Sequence, residues 1–305
     1  MHSHAHHSPS AGVSRKLIIA SCATLSFVVI ELTVGIKAHS LALVGDAFHN
    51  FTDTLALLLA LFAIRLERRP ATSAKSYGYH RAGVLAAFIN AGVLVALTIF
   101  LFIESADRLQ HPAAVDSQAM LLTAIVAVVL NGAITLSLRS EGKHDLNVRG
   151  AALHMLSDAV ASAGIIIAAL LIRSTGRAFW DPATSMIIGV LILWSSWGIL
   201  REAINLLLEG TPVGIDPQAV SRAIAAVEGV NGVHHLHIWA LGAARPALSC
   251  HLMVDDVPVR VTGNVLTQIN ELLAHDFGIA HTTIQFEFAN CDVDDPFCVP
   301  YSAAE

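Results

Sequence analysis

Residues 41 to 64 read LALVGDAFHNFTDTLALLLALFAI, an apolar run that nevertheless carries Asp46, His49 and Asp53. About 20 mostly apolar residues suffice to cross a bilayer as a helix, and this run is that long. An aspartate at the centre of such a helix costs about 2.5 to 3.5 kcal/mol on insertion scales, so ionisable groups there are functional candidates by default. Five further windows reach the same length, near residues 17–36, 82–105, 117–138, 147–172 and 182–200. The first has no small-residue cleavage site behind it and leads within five residues into the second, so it is expected to remain a span and not to be removed as a signal peptide. The expectation is a polytopic α-helical membrane protein with six transmembrane helices.

Composition agrees. Of 305 residues, 54% are hydrophobic and only 14% charged, with a mean hydropathy of +0.62. A disordered chain is excluded by that balance, and a basic nucleic-acid binder by the net charge of −6 and pI near 6.2. The four cysteines, Cys22, Cys250, Cys291 and Cys298, include no C-x-x-C pair, so neither a disulfide framework nor a thiolate knuckle is indicated. Sixteen histidines against 18 Lys plus Arg is an excess of the side chain that most often ligates metal.

Orientation follows from the Lys and Arg of the short loops. Arg15, Lys16, Arg65, Arg68, Arg69, Lys75, Arg81, Arg139, Lys143, Arg149 and Arg201 fall on one side, against Lys37, Arg108, Arg173 and Arg177 on the other. Eleven against four places both termini in the cytoplasm of a cell whose inner membrane holds the protein.

After Leu208, Glu209-Gly210-Thr211-Pro212 breaks the last apolar helix and the composition becomes that of a small soluble domain. A helix is expected over Asp216–Val227, with Asp216 as N-cap and Pro217 at its first position. Strands are expected over Val233–Leu241, Ala247–Val254 and Thr282–Phe288, with a second helix over Val261–His275. This α-β-β-α-β order suits a two-layer, ferredoxin-like α/β sandwich with a small mixed or antiparallel sheet. The expected division is a His-rich tail (1–14), the six-span transport domain (15–208), the cytoplasmic domain (209–290) and a C-terminal tail (291–305).

The chemistry lies in a repeat. Ala47-Phe48-His49-Asn50-Phe51-Thr52-Asp53 in span two and Ala152-Leu153-His154-Met155-Leu156-Ser157-Asp158 in span five both read A-x-H-x-x-[ST]-D. Residues four apart stack on one helix face, so each helix presents one imidazole and one carboxylate together. Two such helices can enclose a cation in a tetrahedral N2O2 set. Zn²⁺ takes that set, whereas Cu(I) prefers sulfur and Ca²⁺ asks for six or more oxygens. Zinc is the best match, ahead of cadmium, cobalt and ferrous iron, and a cage without thiolates can release its ion. A lone His–Asp pair would read equally well as a packing hydrogen bond, but the same spacing on two spans argues for a shared ion. Asp46, one turn before His49, is expected to stand behind it and orient the imidazole. Glu31, Asn90, Glu104 and Asn131 are further polar groups inside spans, with the path and helix–helix bonding both open to them.

In these residues the chain resembles the cation diffusion facilitator family, in its zinc-efflux branch of bacterial zinc/proton antiporters. The resemblance rests on Ser40-Leu41-Ala42-Leu43 leading into Asp46–Asp53, Tyr77-Gly78-Tyr79-His80-Arg81, the His154–Asp158 repeat, Leu208-Glu209-Gly210-Thr211-Pro212, and His234-His235-Leu236-His237-Ile238-Trp239-Ala240-Leu241. It implies His49, Asp53, His154 and Asp158 as the transport site and alternating access as the conformational cycle. It also implies a homodimer joined through cytoplasmic domains of metallochaperone-like fold. In that domain it points to His234, His251 and Glu287 as metal ligands, with His281 one residue beyond the matching position, held here by Ala280. Eukaryotic relatives use the position of His80 to share a metal with the C-terminal domain. Strict strand alternation would put His235 and His237 on one face and His234 on the other. Cys291 and Cys298 are candidate ligands from a neighbouring subunit, and His2, His4, His6 and His7 a metal-collecting tail or a low-complexity terminus.

Zinc binding requires ionised aspartates and neutral histidines, so metal entry expels protons and proton entry expels metal. Proton-coupled efflux of Zn²⁺ follows, with Cd²⁺, Co²⁺ or Fe²⁺ as further substrates. Neither an open zinc position nor an H-E-x-x-H sequence is present for hydrolysis, so no enzyme is expected. Two alternatives stand beside this reading: a transporter of the same fold for another divalent metal, and a membrane-anchored metal sensor without transport.

Overall fold

The computed structural model describes residues 11–138, 146–242 and 245–288. Six long helices come first: α1 (Ala11–Lys37), α2 (Leu41–Glu67), α3 (Ala82–Gln110), α4 (Ser117–Leu138), α5 (Leu146–Thr175) and α6 (Trp180–Leu207). The last five meet the length and apolarity needed to cross a membrane, and α1 has the same 27-residue length as α2. α2, α3 and α6 run further than the apolar window alone, because polar residues continue each helix past the lipid-soluble stretch, whereas α4 coincides with its window.

The helices are dressed for lipid. Val29, Phe62, Ile103, Val129, Leu136, Val160, Ile187 and Trp194 are exposed, while Glu31, Asp46, Asn50, Thr98, Asn131, Asp158 and Ser162 are buried. Water would favour the reverse, and so many outward apolar side chains are tolerable only where the solvent is itself apolar.

Capping explains the corners. Residues 35–40 close α1 with a Schellman pattern, Ser40 N donating to Gly35 O at 2.9 Å and His39 N to Ile36 O at 3.3 Å, with His39 in the left-handed region at φ 54°. Ser40 then begins α2, its Oγ 3.3 Å from Leu43 N. Across the bundle, Asp181 in the first turn of α6 accepts from Ser40 Oγ (2.6 Å), Leu41 N (2.7 Å) and Ala42 N (3.2 Å), so a carboxylate of another helix satisfies the start of α2. Asp116 caps α4 through Gln118 N and Ala119 N at 3.1 and 3.0 Å. Around this end, Leu43, Leu94, Met120, Ile165, Ile188 and Ile192 form the core, with Ala42, Ala124, Ala168 and Ala169 letting the backbones approach closely.

After α6 come α7 (Pro217–Ala225), β1 (Gly232–Gly242), β2 (Arg245–Met253), α8 (Val259–Asp276) and β3 (His281–Glu287). Asp216 caps α7 through Gln218 N at 3.0 Å, with Pro217 at its first position. The sheet is mixed, in the order β1-β2-β3: β1 and β2 are antiparallel, and α8 carries the chain from β2 to a parallel β3. Val220 and Ile224 of α7 and Val265, Ile269 and Leu273 of α8 pack on Leu236, Ile238, Leu248 and Leu252 of the sheet.

The chain divides into two compact units, one holding Asn90–Gly198 with the chain up to Leu58, the other Leu59–Ile89 with the chain from Ile199. The second unit therefore joins the ends of α2, α3 and α6 to the sheet. Val84, Ala203, Leu206 and Ala240 are buried together there. Arg81 Nη2 lies 3.1 Å from Glu209 Oε1, and Gly242 sits so close to the loop that a Cβ would fall 2.5 Å from His80 O.

Candidate metal centre

The helical repeat brings His49 and Asp53 of α2 against His154 and Asp158 of α5. His154 Nε2 lies 3.1 Å from Asp53 Oδ2 and 3.7 Å from Asp158 Oδ2. His49 Nε2 lies 3.6 Å from Asp53 Oδ2 and 3.8 Å from Asp158 Oδ1. The groups alternate, each imidazole standing between two carboxylates, with the rings 6.1 Å apart and nearly perpendicular. Asp158 is buried and His154 the most exposed of the four. Asp53 Oδ2, Asp158 Oδ2 and His49 Nδ1 are buried without a hydrogen-bond partner, so the close pairs lie off hydrogen-bond geometry. Unpaired lone pairs in an apolar bundle are costly, and a cation between them would satisfy several together.

Asp46 does not stand behind His49. Its Oδ2 lies 3.1 Å from Ser162 Oγ on α5, the same hydroxyl being 2.9 Å from Asp158 O, while His49 Nδ1 has no partner. One turn separates Asp46 from His49, but the carboxylate points across the bundle. Glu31 of α1, fully buried, faces Asp46 there. Glu104 pairs instead with Arg108, one turn along α3, at 3.1 Å.

A second cluster lies on the sheet. His234 Nε2 is 2.9 Å from Glu287 Oε2 and His251 Nδ1 is 2.9 Å from Glu287 Oε1. His235 joins them, its ring 4.9 Å from that of His251 and 5.4 Å from that of His234. Among the described residues, His234, His235 and His251 bring donor atoms within 4.8 Å of one another. This corrects the expected strand alternation. Pairing runs His234↔His251 and then His237↔Ser249, so two residues of β1 face one of β2 in a β-bulge, and His235 turns to φ 49°. The bulge gathers His234 and His235 and leaves His237 exposed. Burial lowers the affinity of His234 for a proton below its ordinary value, with Glu287 opposing, which favours the neutral imidazole a metal requires.

His281 is not part of this cluster. It pairs with Ala247 at the start of β3, whereas Glu287 pairs with Met253 six residues on, about 20 Å along the strand. Its ring instead meets Tyr77 edge-on at 5.7 Å. His80 lies beside Arg245, Nε2 to Nη1 at 2.9 Å. Cys291, Cys298 and the histidines at 2, 4, 6 and 7 lie outside the described residues.

Comparisons with known proteins bear on the family of the chain. Residues 17–208 match the cation efflux transmembrane domain and residues 212–289 the cytoplasmic domain of cation efflux proteins. The metal cation efflux system protein CzcD of Cupriavidus metallidurans is 39% identical over 96% of this chain and 92% of its own. The zinc transporter ZitB of Escherichia coli is 38% identical over 96% and 95%. The cadmium, cobalt and zinc/H⁺-K⁺ antiporter of Bacillus subtilis is 36% identical over 92% and 91%. A solved metal-bound C-terminal domain of the CzcD transporter from Cupriavidus metallidurans is 39% identical over 24% of this chain and all of its own, with a TM-score of 0.23. The chain belongs to the cation diffusion facilitator family. Within it, the chain falls in the zinc-efflux branch: a multi-pass membrane transporter of cations, not an enzyme.

Proposed function

We propose that this transporter exports Zn²⁺ from the cytoplasm in exchange for protons, with His49, Asp53, His154 and Asp158 as its ion-binding set. One observation carries the reading: both imidazole Nε2 atoms lie 3.1 to 3.8 Å from both carboxylates. A tetrahedral zinc site with bonds of 2.0 to 2.2 Å has donor–donor edges of about 3.3 to 3.6 Å. The four distances, two of which reach different oxygens of Asp158, bracket that spacing. The relatives named for zinc, cadmium and cobalt support an ion of this size and softness, and the antiporter's name supports protons as counter-ions.

The exchange is built into the donors. Asp53 and Asp158 bind the ion ionised, His49 and His154 bind it neutral, and every proton that returns removes a ligand. Two carboxylates neutralise Zn²⁺ within the bundle, so the loaded site carries no net charge across the apolar layer. Protons arriving from the acidic side take the place of the metal and reset the carrier, which rocks around the fixed site by alternating access. The Lys and Arg excess supports a topology with both termini in the cytoplasm, and the bacterial relatives support an inner-membrane location.

His234, His235, His251 and Glu287 form a further zinc site in the cytoplasmic domain, and the family model matched there, which is named for a dimer, supports a homodimer. That site senses the cytosolic ion and is not on the path. The division into tail (1–14), transport domain (15–208), cytoplasmic domain (209–290) and C-terminal tail (291–305) follows these roles.

The test is zinc uptake into proteoliposomes under an imposed pH gradient, wild type against Asp53→Ala. The expected result is zinc-dependent proton movement that the variant lacks. Equal exchange by both proteins sinks the assignment, and preference for Mn²⁺ over Zn²⁺ sinks the choice of ion.

A further inference from the structure

A pocket of about 480 Å³ opens in the second unit, between the loop that joins α2 to α3 and the near ends of β2 and β3. Its polar lining is Arg69, Ser76, Tyr77, His80, Arg245 and His281. No carboxylate side chain lines it. Glu209 is engaged by Arg81 at 3.1 Å, and among the described residues neither Arg69 nor Arg245 has an acidic partner within 4.0 Å.

The contact between His80 and Arg245 decides which sign of charge belongs here. A guanidinium carries only donors, so the His80 Nε2 that lies 2.9 Å from Arg245 Nη1 must be the acceptor. The lone pair that would ligate a metal is occupied, and a permanent positive charge stands beside it. Protonating His80 adds a second charge and frees the guanidinium. In both protonation states the pocket repels a divalent cation and attracts an anion.

From this geometry we infer that the pocket binds a phosphate-bearing anion, gripped by Arg69 and Arg245, with Ser76 and Tyr77 offering hydroxyls and the two histidines lying alongside. An arginine fork matches two phosphate oxygens, which a lone ammonium does not. The volume falls within the range of small-molecule sites and exceeds what a bare ion fills. Position supplies the source of the phosphate. Arg69 stands two residues beyond the last residue of α2, Glu67, and His80 two residues before the first of α3, Ala82. Both lie within a turn of apolar membrane helices, and basic pockets at the ends of such helices recognise anionic lipid headgroups. An acidic phospholipid bound here would hold the loop against the sheet.

The experiment uses the full-length protein in neutral detergent, titrated separately with phosphatidylglycerol, phosphatidylcholine, inorganic phosphate and Zn²⁺, with binding read by native mass spectrometry and by the thermal midpoint. Phosphatidylglycerol is expected to bind and raise the midpoint, and phosphatidylcholine to do neither. Arg69→Gln with Arg245→Gln should weaken phosphatidylglycerol roughly tenfold or more, the loss expected for charge-assisted contacts. Arg245→Lys, which keeps the charge and guards against mere misfolding, should retain most of the binding. Binding of inorganic phosphate in place of the lipid, lost in the same double variant, supports the site with a soluble ligand as its source. The proposal is overturned if the double variant binds phosphatidylglycerol and phosphate as the wild type does, if neither binds the wild type, or if His80→Gln lowers the number of zinc ions bound.

Discussion

His154 Nε2 and Asp53 Oδ2, on different helices and 3.1 Å apart, form the shortest contact of the proposed transport site, closer than either residue's partner one turn along its own helix. The site is therefore closed between α2 and α5 and not within them. Removing one acid leaves imidazoles from both helices without the carboxylate charge between them. Asp53→Asn and Asp158→Asn should each reduce zinc flux in proteoliposomes by more than about 100-fold, beyond the 10- to 100-fold usual for groups that merely support a ligand. Flux within tenfold of wild type in either variant would contradict the site.

The sheet cluster should respond to pH with a defined sign. The folded value of His234 lies below its ordinary 6.5, so between that lowered value and 6.5 the unfolded chain binds more protons than the folded one. Stability of the metal-free protein should rise with pH through that window and fall toward acid. Thermal midpoints measured with chelator present on either side of pH 6.5 check this, and His234→Gln should flatten the slope. Zinc retention by the same cluster should fall in the same direction, because acid favours the imidazolium.

Asp181 accepts three hydrogen bonds from the first residues of α2 while buried. Asp181→Ala strands those donors, at about 1 to 3 kcal/mol for each unsatisfied group. The protein should lose several degrees of thermal midpoint in detergent. Zinc affinity of the fraction that remains folded should be unchanged, since Asp181 touches none of the proposed ligands. A stable variant would show that water replaces the carboxylate at this end.

Cys250 is buried in the sheet core, and burial pushes its thiol up to about 12. At neutral pH almost none of it is thiolate. A Cys22→Ser, Cys291→Ser, Cys298→Ser protein should resist maleimide until unfolded. Rapid labelling of the native triple variant would show that the sheet opens readily.

Much of this was legible from residue order. Apolar runs of bilayer length announce helices without reference to neighbours, and the His–Asp spacing on two of them survives any packing that brings one face to the other. The C-terminal elements fell within two residues of expectation because Asp216, Pro217 and the Gly-Thr-Pro break are local signals. What escaped depends on partners distant in sequence or on a break in periodicity. His235 joins its cluster only because the bulge interrupts a period of two, and neither neighbour of this histidine signals a left-handed residue. Asp46 is placed by Ser162, 116 residues away, and His80 by Arg245, 165 residues away. His281 looked like a ligand beside Ala280, but the parallel register of β3 carries it to the far end of the strand.

Ser40 completes the bond pattern that ends α1 and also caps α2, so no residue between the two helices is left over. A corner without slack behaves as a bent rod and not as a hinge. With Asp181 riveting α6 to the same corner, the three helix ends there can tilt only as a single piece. In the proposed cycle, any sliding seam has to run elsewhere in the molecule.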